Sequence, residues 1–193
     1  MLTVPLEARQ ARTPAGSAEG RVDRAPVRRI AHEALRNEAD PVYGDPAKFF
    51  ANSYETGGLK ALLREALGRL TGAELTNAPT IRLETSFGGG KSHNLIALLH
   101  PCRGGLQPKS VSCFVPENFV PENPIRQIAG IVGPDMDVAN GIDHGGLGTF
   151  TIWGEIAYQL GGKAGYDLVG KSDEQRTTPG TQFGRSSWAT SRP

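Results

Sequence analysis

Residues 85 to 92 read Thr-Ser-Phe-Gly-Gly-Gly-Lys-Ser, three glycines followed by a lysine and a hydroxyl. N–H groups of consecutive glycines can wrap phosphate oxygens, and a helix N-terminus behind them adds a favourable dipole. A lysine at that place reaches the outer phosphates, and the serine hydroxyl takes a position on Mg²⁺. The spacing therefore assigns Gly88, Gly89, Gly90, Lys91 and Ser92 to a nucleotide-phosphate loop for ATP, with Ser92 on the Mg²⁺. The pattern G-x-x-x-x-G-K-[ST] is met at Gly90, Lys91 and Ser92, whereas Thr85 stands at its first glycine. That glycine turns the chain out of a strand, a task Gly88 and Gly89 can take over.

Such a loop ordinarily sits between a strand and a helix. The run Thr80 to Glu84 is the expected strand, and Asn94 to His100, ended by Arg103-Gly104-Gly105, is the expected helix. A second buried strand is expected over Gln127 to Val132, closed by Gly133-Pro134. The strongest helical pattern is the stripe Leu59, Leu62, Leu63, Ala66, Leu67 and Leu70, with Thr56 placed to cap it and Gly72 to end it. Further helices are expected over Asp23 to Asn37, Pro46 to Asn52 and Thr149 to Leu160, the last closed by Gly161-Gly162. Between them, Asp40 to Pro46 carries two prolines and a glycine that stop regular structure. Val111 to Phe119 fits a short helix or a strand equally well. Residues 1–22 and 171–193 have no sustained period and read as tails, leaving 23–170 as the domain.

With 193 residues, the chain suits one domain with a sizeable core. A net charge of +1 gives no reason to expect a nucleic-acid or membrane surface. Two cysteines make no disulfide framework, and His100-Pro101-Cys102 lacks a second pair at zinc-finger spacing. No signal-peptide core or transmembrane-length apolar run is present, so the expected location is the cytoplasm.

A hydrolase of this class also needs an acid at the end of a neighbouring strand to hold Mg²⁺. Asp135 and Asp137 follow the second strand, but Gly133-Pro134 intervenes, and a loop-capping role suits them better. Glu155 falls on a helix. The catalytic residues therefore stay unassigned. Two expected strands also fall short of the five or so that a doubly wound parallel sheet carries.

Three segments together resemble one family: Asp40-Pro-Val-Tyr-Gly-Asp-Pro-Ala-Lys-Phe-Phe50, Glu84-Thr-Ser-Phe-Gly-Gly-Gly-Lys-Ser-His93 and Thr151-Ile-Trp-Gly-Glu-Ile-Ala-Tyr-Gln-Leu-Gly-Gly162. It is the group of large prokaryotic AAA+-like ATPases catalogued as domain of unknown function 499. Its members lie beside DNA methyltransferases and helicases and are suspected of anti-phage roles. The resemblance runs from about Asp40 to Gly180. It implies an α/β fold, an incomplete P-loop NTPase (AAA+-like) three-layer sandwich with a parallel sheet core and N-terminal helices. It makes Thr85 a family habit and adds His93 to the nucleotide-binding set.

In the family, an Asp-Glu strand follows the segment similar to Ser172–Gln182. Here Phe183 to Pro193 departs from the pattern, which implies a truncated or frameshifted product that binds ATP but is deficient in hydrolysis alone. Expected partners are the nucleotide and a homo-oligomer or larger ATPase assembly, with no membrane and nucleic acid only indirectly. The competing reading is a non-catalytic interaction module, docking through the Leu59–Leu70 stripe and keeping a vestigial loop. A small-molecule kinase would need an acceptor site and lid arginines, and none is identifiable.

Overall fold

Asp40-Pro41 and Asp45-Pro46 each start a helix. An aspartate accepts hydrogen bonds from the first-turn N–H groups, and a proline suits the first helical position, where its missing N–H costs nothing. Asp40 Oδ1 accepts from Val42 N at 2.9 Å and opens α1 (Pro41–Gly44). Asp45 Oδ1 accepts from Ala47 N at 2.9 Å and Lys48 N at 3.1 Å and opens α2 (Pro46–Ala51). Pro46 opens the helix expected from it, whereas Pro41, expected to stop regular structure, initiates a helix instead.

The computed structural model describes residues 33–84, 89–133 and 136–180, which fall into two compact units meeting in sequence at Ile125 and Arg126. The expected helix Asp23 to Asn37 lies largely outside these residues; positions 33–36 are helical.

The first unit continues with α3 (Gly57–Leu70) and α4 (Lys91–Arg103). Single 3₁₀ turns follow at Pro108–Val111 and Glu117–Phe119, settling the ambiguous Val111–Phe119 stretch as neither α-helix nor strand. Thr56 caps α3, its Oγ1 accepting from Leu59 N at 3.1 Å. Leu59, Leu62, Leu63 and Leu67 are buried, whereas Leu70 at the end of the stripe is exposed. They share the core with Phe49, Phe50, Ile96, Leu99, Val111 and Phe114. At the far end of α4, the Arg103 guanidinium donates to the carbonyls of Ala34 and Leu35 and to Asn37 Oδ1, satisfying acceptors left open where the 33–36 helix stops.

The second unit pairs β1 (Ile142–Asp143) with β2 (Gly148–Thr149) as an antiparallel hairpin in which Ile142 faces Thr149. Helix α5 (Ile152–Asp167) follows, capped by Thr151 Oγ1 accepting from Gly154 N at 3.2 Å. It is two helical stretches joined at Gly162, whose φ of 58° and ψ of −149° break the helix at the expected stop, Gly161-Gly162, before a second stretch continues to Asp167. Then comes α6 (Gly170–Glu174), so residues 171–174, aperiodic in sequence, carry regular structure. Asp173 on α6 is 1% exposed.

The expected parallel sheet core is overturned. The described residues are mostly helical, and the single sheet among them is this two-stranded antiparallel hairpin. Thr80 to Glu84 contributes one isolated bridge, at Arg82, and Gln127 to Val132 forms no ladder. A strand exists only through a neighbour that takes its N–H and C=O groups, and apolar composition does not supply one. At Gly130 a side chain substitutes for that neighbour. Gly130 N donates to Gln159 Oε1 at 2.7 Å, and Gln159 Nε2 donates to Gly130 O at 3.0 Å. No helix among the described residues is long and apolar enough to cross a membrane.

Candidate functional site

The first turn of α4 carries the expected phosphate-loop residues. Gly90 stands at its N-cap with φ 74° and ψ 18°, a left-handed conformation that glycine adopts without strain. Lys91, exposed, and Ser92, half-buried, open a 13-residue helix behind it. The N–H groups of such a first turn have no carbonyl of their own helix to pair with. Gly89 is described and precedes the cap; Thr85 to Gly88 lie outside the described residues. Asn94, one turn in, is 4% exposed, and its Nδ2 has no hydrogen-bond partner. A left-handed glycine, a lysine, a hydroxyl and a buried unpaired amide donor fit a phosphate group in chemical type.

His93 packs against residues of the 46–53 segment. Its ring stacks on Phe49 at 4.5 Å between centroids, and its Nε2 lies 3.0 Å from Ser53 Oγ. Burial pulls its basicity below the ordinary imidazole value. His100, two turns further along, lies 5.0 Å from the same Phe49 ring and donates from Nε2 to Tyr43 O at 3.0 Å. Burial lowers its pKa as well, against the raising effect of that carbonyl. His93, Ile96, Ala97 and His100 share one helical stripe, at spacings of three, four and seven residues. That stripe is legible in the sequence and marks the face of α4 that packs inward. Cys102, next to it, is buried, and its thiol is pushed up to about 11 by burial.

Asp137, weighed as a Mg²⁺ acid, closes its own turn instead. Oδ1 accepts from Ala139 N at 2.9 Å and Asn140 N at 3.0 Å, while Oδ2 accepts from Asn140 Nδ2 at 2.6 Å. These bonds, Asn140's foremost, hold its carboxyl below the ordinary range. Asp135 lies outside the described residues.

The second unit holds a polar centre that the sequence did not reveal. The Glu155 carboxylate, 4% exposed, accepts from Thr149 Oγ1 at 2.5 Å, Gln159 Nε2 at 2.7 Å and His144 Nε2 at 2.8 Å. Burial would raise its pKa, and those three donors outweigh it and hold the group below the ordinary carboxyl value. The His144 ring stacks on Tyr158 at 3.9 Å and borders an open cleft of about 600 Å³, lined also by Leu147, Phe150, Lys163 and Tyr166. Every lone pair that Glu155 commits goes to its own hairpin and helix, so the centre fastens β1 and β2 to α5. Thr149 and Glu155, six residues apart across a turn, carry no periodic signal.

A DUF499 N-terminal domain is detected over residues 24–112. The match takes in the 40–50 and 84–93 segments and stops short of 151–162. No curated protein and no solved structure matches the chain.

Proposed function

We propose that the glycine loop ending in Lys91 and Ser92 binds the phosphates of ATP. In this reading Gly88 to Gly90 offer backbone N–H groups, Lys91 meets the outer phosphates, and Ser92 ligates Mg²⁺. The observation that carries it is the left-handed Gly90 at the N-cap of a 13-residue helix that opens with Lys-Ser. The role reads as that of an ATP-binding part of an AAA+-like ATPase, from the sequence resemblance alone, and defence against phage is the setting that resemblance suggests. Hydrolysis is not assigned to this chain, because Asp137 is engaged in its own turn.

Titration of the chain with Mg-ATP, followed by calorimetry, tests the reading. Binding that is lost in Lys91→Ala supports it, and equal binding by both proteins refutes it. The alternative, a docking module using the leucine stripe, loses its surface: Leu59, Leu62, Leu63 and Leu67 are between 0% and 3% exposed.

A further inference from the structure

We infer that His93 is a positioning residue, which fastens the first turn of α4 to the C-terminal end of α2 through Ser53 and Phe49 instead of contacting a nucleotide. Ser53 has one hydroxyl proton, and a carbonyl can only accept. The bond from Ser53 Oγ to Phe49 O, 2.7 Å, therefore takes that proton. Toward His93, 3.0 Å away, Ser53 Oγ must then accept, so Nε2 of His93 carries the hydrogen. One face of the ring is covered by Phe49 at an interplanar angle of 28°. A neutral imidazole suits this place, since a positive charge in a helix's first turn opposes the helix dipole.

The geometry gives the joint its consequence. His93 directly follows Lys91-Ser92, so whatever holds its ring also fixes the turn that presents those two residues. His100, seven residues on, makes the second attachment to the same segment through Tyr43 O. The two attachments are about 10 Å apart along the helix axis, and together they fix both the rotation and the tilt of α4 against residues 40–53. Two stretches separated by more than thirty residues of sequence, 40–50 and 84–93, are thereby one mechanical piece. Loss of orientation in a binding turn weakens every contact made from it.

The inference rests on the nucleotide reading only for its affinity arm. The test uses the full chain with His93→Ala, His93→Gln, Ser53→Ala and the double variant His93→Ala/Ser53→Ala, with Lys91→Ala as reference. Hydrogen–deuterium exchange without nucleotide should quicken in both 46–53 and 89–96 for either alanine variant. The double variant should exceed the larger single effect little, because both break one bond. Gln, which retains an amide N–H donor, should recover part of the protection. Mg-ATP affinity should fall about fivefold in Ser53→Ala, the worth of one ordinary hydrogen bond, although Ser53 touches no phosphate in this reading.

The inference is overturned if Ser53→Ala leaves exchange and affinity unchanged while His93→Ala weakens ATP as severely as Lys91→Ala, which would make His93 a ligand. It is equally overturned if His93→Ala disturbs 89–96 and leaves 46–53 protected. A wild-type chain that binds no Mg-ATP removes the nucleotide reading, and the exchange result still decides the joint.

Discussion

The Asp173 carboxylate fills the space a side chain on Gly154 would need: a Cβ there would lie 2.2 Å from Asp173 Oδ1 and 2.3 Å from Cγ. Asp173 cannot retreat, because both oxygens are engaged. Oδ1 accepts from Thr151 N at 2.8 Å and Thr151 Oγ1 at 2.5 Å, and Oδ2 from Phe150 N at 2.9 Å and Tyr166 OH at 3.1 Å. Burial, reinforced by that carboxylate, pushes the Tyr166 phenol up to about 12. Gly154→Ala must break this set or unwind the start of α5. A loss of about 3 kcal/mol or more is expected in urea denaturation of the second unit. Wild-type stability in Gly154→Ala would show that α6 can move aside.

Glu155→Gln is expected to cost about 2–4 kcal/mol in the same measurement. All three neighbours donate to Glu155, and the amide of Gln159 cannot rotate to accept without breaking both of its bonds to Gly130. The new NH₂ must therefore turn toward Thr149 and His144, which have to switch from donating to accepting, and the charge-assisted strength of all three bonds is lost. Because the folded carboxyl titrates below its unfolded value of 4.5, the stability it contributes is complete above that pH and is lost as pH falls through and below it. The variant should lack that acid limb. An unchanged limb in Glu155→Gln would place its origin elsewhere.

Gln159→Ala should release residues 127–132. Gly130 N–H, bonded to Gln159 Oε1, is the amide to follow, and its exchange should quicken about tenfold or more as one or two hydrogen bonds are lost. Gln159→Glu keeps the acceptor for Gly130 N–H but brings a second carboxylate to Glu155, so it should not rescue. Protection of Gly130 unchanged in Gln159→Ala would mean the segment is held by its apolar side chains alone.

Local signals carried much of the helical part of this fold, while long-range pairing did not show. Thr56 and the leucine stripe specify α3 by capping and a 3.6-residue period, and the structure follows them closely. The stretches Thr80–Glu84 and Gln127–Val132 are apolar enough for buried strands, but strand formation depends on partners distant in sequence. Gln159, a helical side chain, serves Gly130 in that capacity, and no period announces it. For the candidate site, the order of residues in the loop was readable, as was the helix over Asn94 to His100 behind it. Of the partners of His93 and His100, Phe49 lies on the expected Pro46–Asn52 helix and Ser53 just after it, while Tyr43 comes from a turn-dense segment whose prolines masked one short helix.

Leu63 and Leu70 give a direct contrast on one helix. Leu63 is fully buried and Leu70 is 55% exposed. Leu63→Ala should lower stability by about 2–5 kcal/mol, while Leu70→Ala should stay within about 0.5 kcal/mol. Similar small effects at both positions would return the stripe to the surface and revive the docking reading.

Acid should loosen the first unit before it reaches the carboxyl range. Burial depresses the basicity of both His93 and His100 relative to the 6.5 of an unfolded imidazole. At His100 the Arg103 charge adds to that effect, while the Tyr43 carbonyl and Asp45 oppose it. Between the folded and unfolded values the unfolded chain binds more protons, so stability is full above 6.5 and declines as pH falls below it. Each histidine can contribute a slope of at most about 1.4 kcal/mol per pH unit. Urea midpoints of the first unit, taken between about pH 7.5 and about pH 5.5, should therefore fall. The fall should be shallower in His93→Gln and shallower again when His100→Gln is added. A midpoint independent of pH across that range would mean that neither imidazole is held neutral by its packing against Phe49.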